Sequence, residues 1–412
     1  MTRRGVSTAF VAASMLLAAA CGGSPDESAV DDVPVLHWYV GPERADVEAL
    51  AQTCSEGSGG DYRIEVERLP DDAEERHATL MRRLLAKDDS IDLFSMDTAW
   101  SAEMAAAQVL APVPEDLKTP FAQDVAPAAL RSVTVDGLVV AAPWTFDPWL
   151  LWWRGNTAER AGLDTTEPVS WDDLLTGAER TGRQVLVDDP DGEGLAAWVD
   201  ALVAGAGGTM LEGGGRSPEV GLDTAAGSTA ARIVGRLGRS GLGADPSADA
   251  AEGLARRGGF VLAPSSFVSD PAVAPVASDL QWAAFPEVDG TAAAPSTGVA
   301  LAVPLFAPDT SLSYEAISCL TSDDLLASVM TGSGHSAARL SAYDLDAVKA
   351  GYPLADVTRP AVDTAVTLPS TPYWMQARAA LVQTWTPISS VGSATPRRSQ
   401  AAVRDAVAGR LP

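Results

Sequence analysis

The sequence predicts an α/β protein of two lobes built on parallel strands. Three observations carry this. Strand-like and helix-like patterns alternate from Val35 onward, and parallel strands need helical crossovers. At 412 residues the chain is too long for one ordinary core and suits two. Beyond the N-terminus no apolar run is long enough to span a bilayer.

The elements follow in order. Val35–Val40 is an apolar strand, and Glu43–Gln52 reads as a helix. Arg63–Leu69 alternates with period two, placing Ile64 and Val66 on one face. Asp72–Lys87 is an amphipathic helix expected to bury Ala73, His77, Leu80, Met81, Leu84 and Leu85. Ile91–Met96 is a short buried strand, followed by a helix from about Trp100 to Gln108. Ligands of open sheets of this kind sit beyond the carboxyl ends of the strands. Asp97 lies at such an end, which sets it apart from Asp88, Asp89 and Asp92. Its other reading is a helix cap before Trp100. Gly137–Ala142 is a strand, Asn156–Gly162 a short helix, and Ser170-Trp-Asp-Asp173 a helix start with an acid at the capping-box position. Gln184–Val187 is a strand and Gly194–Ala204 a helix. Gly205–Gly259, rich in Gly, Ala and Ser, gives weak signals. Phe260–Ala263, Leu280–Phe285 and Val299–Val303 are strand-like. Helices follow near Leu312–Leu320, Asp323–Met330, Trp374–Gln383 and Arg397–Ala408.

The N-terminus points to export. Arg3 and Arg4 precede an apolar run from Val6 to Ala20, a signal peptide over residues 1–20. Leu17-Ala-Ala-Ala-Cys21 resembles a bacterial lipobox, in which the Cys21 thiol carries a diacylglyceride; the alternative is an ordinary cut site beside a chance cysteine. Thr2-Arg3-Arg4 is too short to separate general from twin-arginine export. Residues 21–32 read as a flexible tether. With Cys21 lipidated, Cys54 and Cys319 remain. In an oxidising compartment they are expected to pair, the alternative being two separate buried thiols. The formal charge is −26, from 29 Lys and Arg against 55 Asp and Glu. That argues against nucleic acid and anionic bilayers as surface partners. Low lysine with high Ala and Gly fits a GC-rich actinobacterial genome.

Four tryptophans fall within ten residues: Trp144, Trp149, Trp152 and Trp153, interleaved with Asp147 and Arg154. Such a segment either fills a core or forms a wall for sugars, whose rings have an apolar face and a rim of hydroxyls. Trp152 and Trp153 lie on opposite faces of one strand, so at most one faces a cleft. Trp144, Trp149 and Trp374 are the stacking candidates. Trp171 fits packing of its own helix. Asp147 could instead form a turn before Pro148. Asp189-Pro-Asp191-Gly-Glu193 with Asp200 faintly matches a calcium loop, the rival role for Glu193. Catalytic signatures are poor. There are three histidines, no Gly-x-Ser-x-Gly elbow, no His/Cys metal spacing and no phosphate loop, so no cofactor is expected. A glycosidase needs just two carboxylates, and an exported glycoside hydrolase stays as the enzyme alternative. A cell-surface interaction lipoprotein is the other.

Several stretches together resemble the extracellular solute-binding proteins (family 1) that deliver sugars to ABC importers. These are Leu151-Trp-Trp-Arg-Gly-Asn-Thr-Ala-Glu-Arg-Ala-Gly-Leu163, then Pro168-Val-Ser-Trp-Asp-Asp-Leu174, Ser296-Thr-Gly-Val-Ala-Leu-Ala-Val-Pro304, Leu320-Thr-Ser322 and Gly332-Ser-Gly-His-Ser-Ala-Ala-Arg339. Within the family, Asp89–Asp97, Pro168–Trp171, Glu193-Gly194 before Trp198, Leu222–Gly227 and Thr371-Pro-Tyr-Trp374 are similar to trehalose-binding members. The resemblance implies a periplasmic-binding-protein-like fold, with lobe I at 33–142 plus 285–344, lobe II at 143–284 plus 345–412, and a hinged central cleft. It implies a lipid-anchored, monomeric binding protein on the outer face of the membrane, not an enzyme. Its sugar, such as trehalose, would pass to a permease driven by a separate ATPase. Asp97, Asp147 and Glu193 would be sugar ligands, with Arg339 reaching in from its loop or forming a surface salt bridge. Two positions depart from the trehalose-binding pattern. Ala263-Pro264-Ser265-Ser266 stands where those proteins carry Asn-Trp, which puts Ser265 at the site and removes a stacking platform. Thr297-Gly298 replaces a double glycine.

Overall fold

The computed structural model describes residues 33–190, 192–213, 215–243 and 249–410. The signal-peptide, Cys21 and tether expectations, and Asp191 of the candidate calcium loop, lie outside them. Among the described residues no helix is long and apolar enough to cross a membrane.

The strands of the main sheet are β1 (Val35–Val40), β2 (Arg63–Arg68), β3 (Leu93–Asp97), β4 (Ala142–Arg154), β5 (Val185–Val187), β6 (Phe260–Pro264), β7 (Leu280–Ala284) and β8 (Ser296–Ala302). Their order is β2-β1-β3-β8-β4-β6-β5, with β7 also on β4. The expected parallel pairing holds at both ends: β1 is parallel to β2 and β3, and β6 to β5. The middle is antiparallel, because β8 runs against β3 and β4, and β6 and β7 run against β4. The 13-residue β4 ties the two halves together. Its first half pairs with β8, and its second half lies between β6 and β7.

Alternation along β4 sends neighbours to opposite faces. Trp144 and Trp152 join an apolar layer with Leu36, Trp38, Val261 and Leu301. Trp149, Leu151 and Trp153 enter a second layer with Trp171, Trp198, Trp374 and Trp385. A third core, with Leu80, Phe94, Met96 and Trp100, lies under β3.

The helices that matter below are α1 (Val47–Gly57), α2 (Ala73–Leu85), α3 (Trp171–Thr181), α4 (Glu193–Gly205), α5 (Ala225–Ser240), α6 (Thr310–Leu320), α7 (Asp323–Ser333), α8 (Ala355–Thr364) and α9 (Trp374–Trp385). Local chemistry sets their ends. The Asp46 carboxylate accepts from Ala49 N, so α1 starts later than the apolar pattern predicts. Asp72 caps α2 and Ser170 caps α3 in the same way, and α3 stops at Gly182 in the left-handed region. On α2 the buried stripe narrows to Leu80 and Leu84, while Leu85 is exposed. Cys54 of α1 and Cys319 of α6 form a disulfide. The 345–365 stretch packs with the first half of the molecule: α8 contacts β4 and the helix Pro127–Ser132, and buries Val362 against Val125, Ala126 and Phe146.

Candidate functional site

Asp97 ends β3, opposite Val299 of β8, which in turn pairs with Thr145 of β4. One of its oxygens accepts from Ala99 N at 3.0 Å, so the capping role is real. Burial raises the Asp97 carboxyl above the usual range, against the pull of the Ala99 bond and of Arg76, Arg378 and His77.

Glu193 opens α4. The helix can begin there because residue 194 is glycine: a Cβ would lie 2.0 Å from Asp188 O. Gly194 N donates to Asp189 Oδ2 at 2.9 Å. Burial, then the charge of Asp97, pushes the Glu193 carboxyl up to about 8. Two groups from α9 oppose that. Arg378 Nη1 lies 3.7 Å from Glu193 Oε2, and the Trp374 indole N–H reaches the same oxygen at 3.5 Å. Arg378 also donates to Glu74 Oε1 of α2 at 2.7 Å. A cavity of about 470 Å³ opens here, lined by Asp72, Glu74, Asp189, Glu193, Arg378 and Gln383.

Asp147, midway along β4, has a different setting. Its Oδ1 accepts from Ser265 Oγ and Ser336 N, both at 2.7 Å, and its Oδ2 meets His335 Nδ1 at 2.6 Å. Ser265 and Ser336 share a further bond, and Ser336 meets the Tyr352 hydroxyl. Burial pulls the His335 imidazole down, but the charge and hydrogen bond of Asp147, with Glu43, outweigh it and hold the ring above its usual range. Glu43 is itself raised by burial, with His335 and Arg76 opposing and the charges of Asp147 and Asp97 adding to the rise.

The sequence candidates therefore separate. Glu193, Trp374 and Arg378 come together, and Asp97 lies near enough for its charge to act on Glu193. Asp147 and Ser265 form a closed hydrogen-bond hub, with no oxygen of Asp147 lacking a protein donor. Gly298 lies beside Thr98, where a Cβ would meet Thr145 O at 3.0 Å, so its lack of a side chain serves close strand packing. The stacking expectation for the tryptophans needs correction. Trp144 is 0 % exposed, edge-on to Trp38, and Trp149 is 2 % exposed. Neither has a bare face, because β4 is covered on both sides. Trp374 is also buried in the second core and offers its indole edge rather than a face. Arg339 does not reach the cleft either. It donates to Pro120 O and Gln123 O at the end of the helix Glu115–Ala122 and faces Asp323 at 3.6 Å.

Arg378, Glu74, Glu43 and His335 were missed as site residues. Arg378 had a signal, since it lies four positions after Trp374 and so on the same helix face. His335 sits inside the Gly-Ser-Gly-His-Ser loop. Among the described residues no cluster of three or more His, Cys, Asp or Glu is arranged to hold a metal ion.

Comparison with known proteins fits this architecture. The family described as bacterial extracellular solute-binding protein matches residues 49–356. A Deinococcus radiodurans protein described as an ABC transporter-binding protein is 24 % identical over 117 residues, which is 28 % of this chain and 27 % of that one. Maltose-bound MalE3 of T. maritima superposes with a TM-score of 0.76 at 20 % identity, covering 91 % of this chain and 98 % of that one. The GacH receptor of Streptomyces glaucescens, solved unliganded and with acarbose, gives 0.76 at 21 %, covering 92 % and 98 %. The cyclic α-maltosyl-1,6-maltose-binding protein of Arthrobacter globiformis gives 0.74 at 21 %, covering 91 % and 100 %. At these identities the likeness establishes the fold, a two-lobed binding-protein architecture. The family match covers well over half of the chain and places it outside the cytoplasm, as a binder and not an enzyme. The chain belongs to the bacterial extracellular solute-binding protein family.

Proposed function

We propose that the chain is the substrate-binding component of an ABC importer, taking a saccharide between its lobes and handing it to a membrane permease with a separate ATPase. The observation that carries this is a cavity of about 470 Å³ lined by Glu193, Arg378, Glu74 and Asp189, with the Trp374 indole N–H 3.5 Å from Glu193 and the charge of Asp97 acting on it. Carboxyl groups hydrogen-bond paired sugar hydroxyls, most strongly when ionised, and the cavity is of the size that small-molecule sites occupy. The solved relatives bound to maltose and acarbose favour the same ligand class. Trehalose is the disaccharide favoured by the sequence resemblance.

Lobe I would hold 33–142 and 285–344, and lobe II would hold 143–284 and the C-terminal helices. The packing of α8 favours moving the last crossing to about residue 366. Asp147 would then be a hinge post on the crossing strand, and not a sugar ligand. A ligand touching both lobes favours the closed state by its differential affinity. Anchoring through Cys21 and action as a monomer complete the proposal. The test is a thermal-shift screen of lipid-free protein, starting after Cys21, against mono- and disaccharides including trehalose. A concentration-dependent rise in melting temperature with one saccharide is expected. No rise across the panel would overturn the saccharide reading.

A further inference from the structure

We infer that Glu74 of α2 is a positioning residue for the ligand site: reaching across the cleft, it holds the Arg378 guanidinium at the cavity wall and off the Glu193 carboxyl, so that both groups stay open to ligand. The inference rests on the reading above, that the cavity of about 470 Å³ between α2, α4 and α9 takes a saccharide and that α2 and α9 belong to opposite lobes.

Three contacts carry it. Arg378 Nη2 donates to Glu74 Oε1 at 2.7 Å. Arg378 Nη1 stands 3.7 Å from Glu193 Oε2, beyond the roughly 2.7–2.9 Å of a formed guanidinium–carboxylate bond. The Trp374 N–H reaches that same oxygen at 3.5 Å. Glu74, Glu193 and Arg378 all line the cavity.

Arg378 therefore sits between two carboxylates that compete for it. Glu193 is the more buried of the two, its side chain 20 % exposed against 73 % for Glu74, and an ion pair gains more where water is scarcer. Without Glu74 the guanidinium would move onto Glu193, pair with it and cover the oxygens a saccharide needs. With Glu74 in place the cavity keeps an acceptor, Glu193, beside a donor, Arg378. Two neighbouring sugar hydroxyls fit them, one giving its hydrogen to Glu193 and the other offering its oxygen to Arg378.

Glu74 is held ready for this role. The Asp72 carboxylate accepts from Glu75 N at 2.8 Å and so fixes the turn that carries Glu74. Arg76, the cation nearest in sequence, donates to Pro70 O and Asp71 O and leaves Glu74 to Arg378. Because the partners stand on opposite sides of the cleft, Arg378 is placed only when those sides meet. An acid in the first turn also suits the helix dipole. Glu75 in the same turn serves that end as well, which makes it the control.

The test follows the Glu193 carboxyl by carboxyl-carbon NMR titration of ligand-free protein, and saccharide affinity by calorimetry. It compares wild type, Glu74→Gln, Arg378→Gln, the double variant and Glu75→Gln. Burial, then the charge of Asp97, pushes the Glu193 carboxyl up to about 8, with Asp189 adding and Arg378 opposing. With Arg378 released onto it, Glu193 in Glu74→Gln is expected to titrate about one pH unit lower than in wild type. Glu75→Gln, which deletes a charge from the same turn, should leave it in place. Saccharide binding should weaken about fivefold in Glu74→Gln, the upper end for an exposed ion pair. The double variant should bind as Arg378→Gln does, within about twofold, since the two residues act as one unit. An unchanged Glu193 titration in Glu74→Gln, an equal fall in Glu75→Gln, or losses that add in the double variant overturns the inference. If no saccharide binds, the saccharide reading falls, and the titration alone decides whether Glu74 positions Arg378.

Discussion

At Asp147 both carboxylate oxygens already accept from protein donors, Ser265, Ser336 and His335, and the side chain is buried away from any cavity mouth. At Glu193 the nearest donors stand at 3.5 and 3.7 Å, and capacity remains. This contrast, and not the residue type, is why we propose Glu193 over Asp147 as the acid that meets ligand. Trp144 makes the same point for aromatic residues. Its indole N–H has no hydrogen-bond partner among the described residues, and its ring is enclosed. Trp144→Phe should lower stability by roughly 1–3 kcal/mol through lost packing and leave saccharide affinity within about twofold. Calorimetric titration of the variant checks this, and a large loss of affinity would restore the stacking role. Asp200 offers a pH test at a single residue. Burial alone pushes its carboxyl up to about 7. A carboxyl raised in the folded state binds more protons folded than unfolded between about pH 4 and 7, so its ionisation subtracts stability as pH rises through that window. Asp200→Asn should remove that part of the decline, seen as a smaller fall in melting temperature from pH 5 to pH 8 than in wild type. An unchanged pH slope would show that Asp200 is hydrated.

The elements that present the site depend on close approaches as much as on periodicity. Gly194 lets α4 begin against Asp188, so Gly194→Ala should displace the first turn and weaken saccharide binding about tenfold or more while every ligand group remains. Comparing its affinity with that of Ala197→Gly, deeper in the same helix, separates a shifted Glu193 from general loss of helix stability. The strongly periodic elements were legible in the sequence: the strands through Asp97, the helix carrying Glu193 and the helix after Trp374 stand where their patterns predict. Helix α5 was not, because its Ala, Gly and Ser residues give little hydropathy contrast. The same residues are what its packing needs. A Cβ on Gly235 would lie 2.5 Å from Val391 O, and one on Gly238 would lie 2.3 Å from Ile388 O. The antiparallel middle of the sheet was also hidden, since no local pattern records that β8 returns between β3 and β4.

Across the whole molecule, the site joins segments far apart in the chain. Glu193 and Trp374 are separated by 181 residues, and Arg378 and Glu74 by 304. Sequence reading could propose Asp97 and Glu193 from strand-end and loop placement together with the family resemblance. It could not pair them with Arg378, nor see that Asp147 turns inward to His335, because both facts depend on how the halves meet. The disulfide between Cys54 of α1 and Cys319 of α6 joins positions 265 residues apart within the proposed lobe I. The central claim is that a saccharide is held by Asp97 and Glu193. Calorimetric titration with the saccharide found in the thermal-shift panel, for wild type, Asp97→Ala and Glu193→Ala, tests it most directly. Losing charge-assisted hydrogen bonds of about 1.5–3 kcal/mol each predicts roughly 10- to 100-fold weaker binding in each variant, with folding retained. Wild-type affinity in both variants would contradict the account.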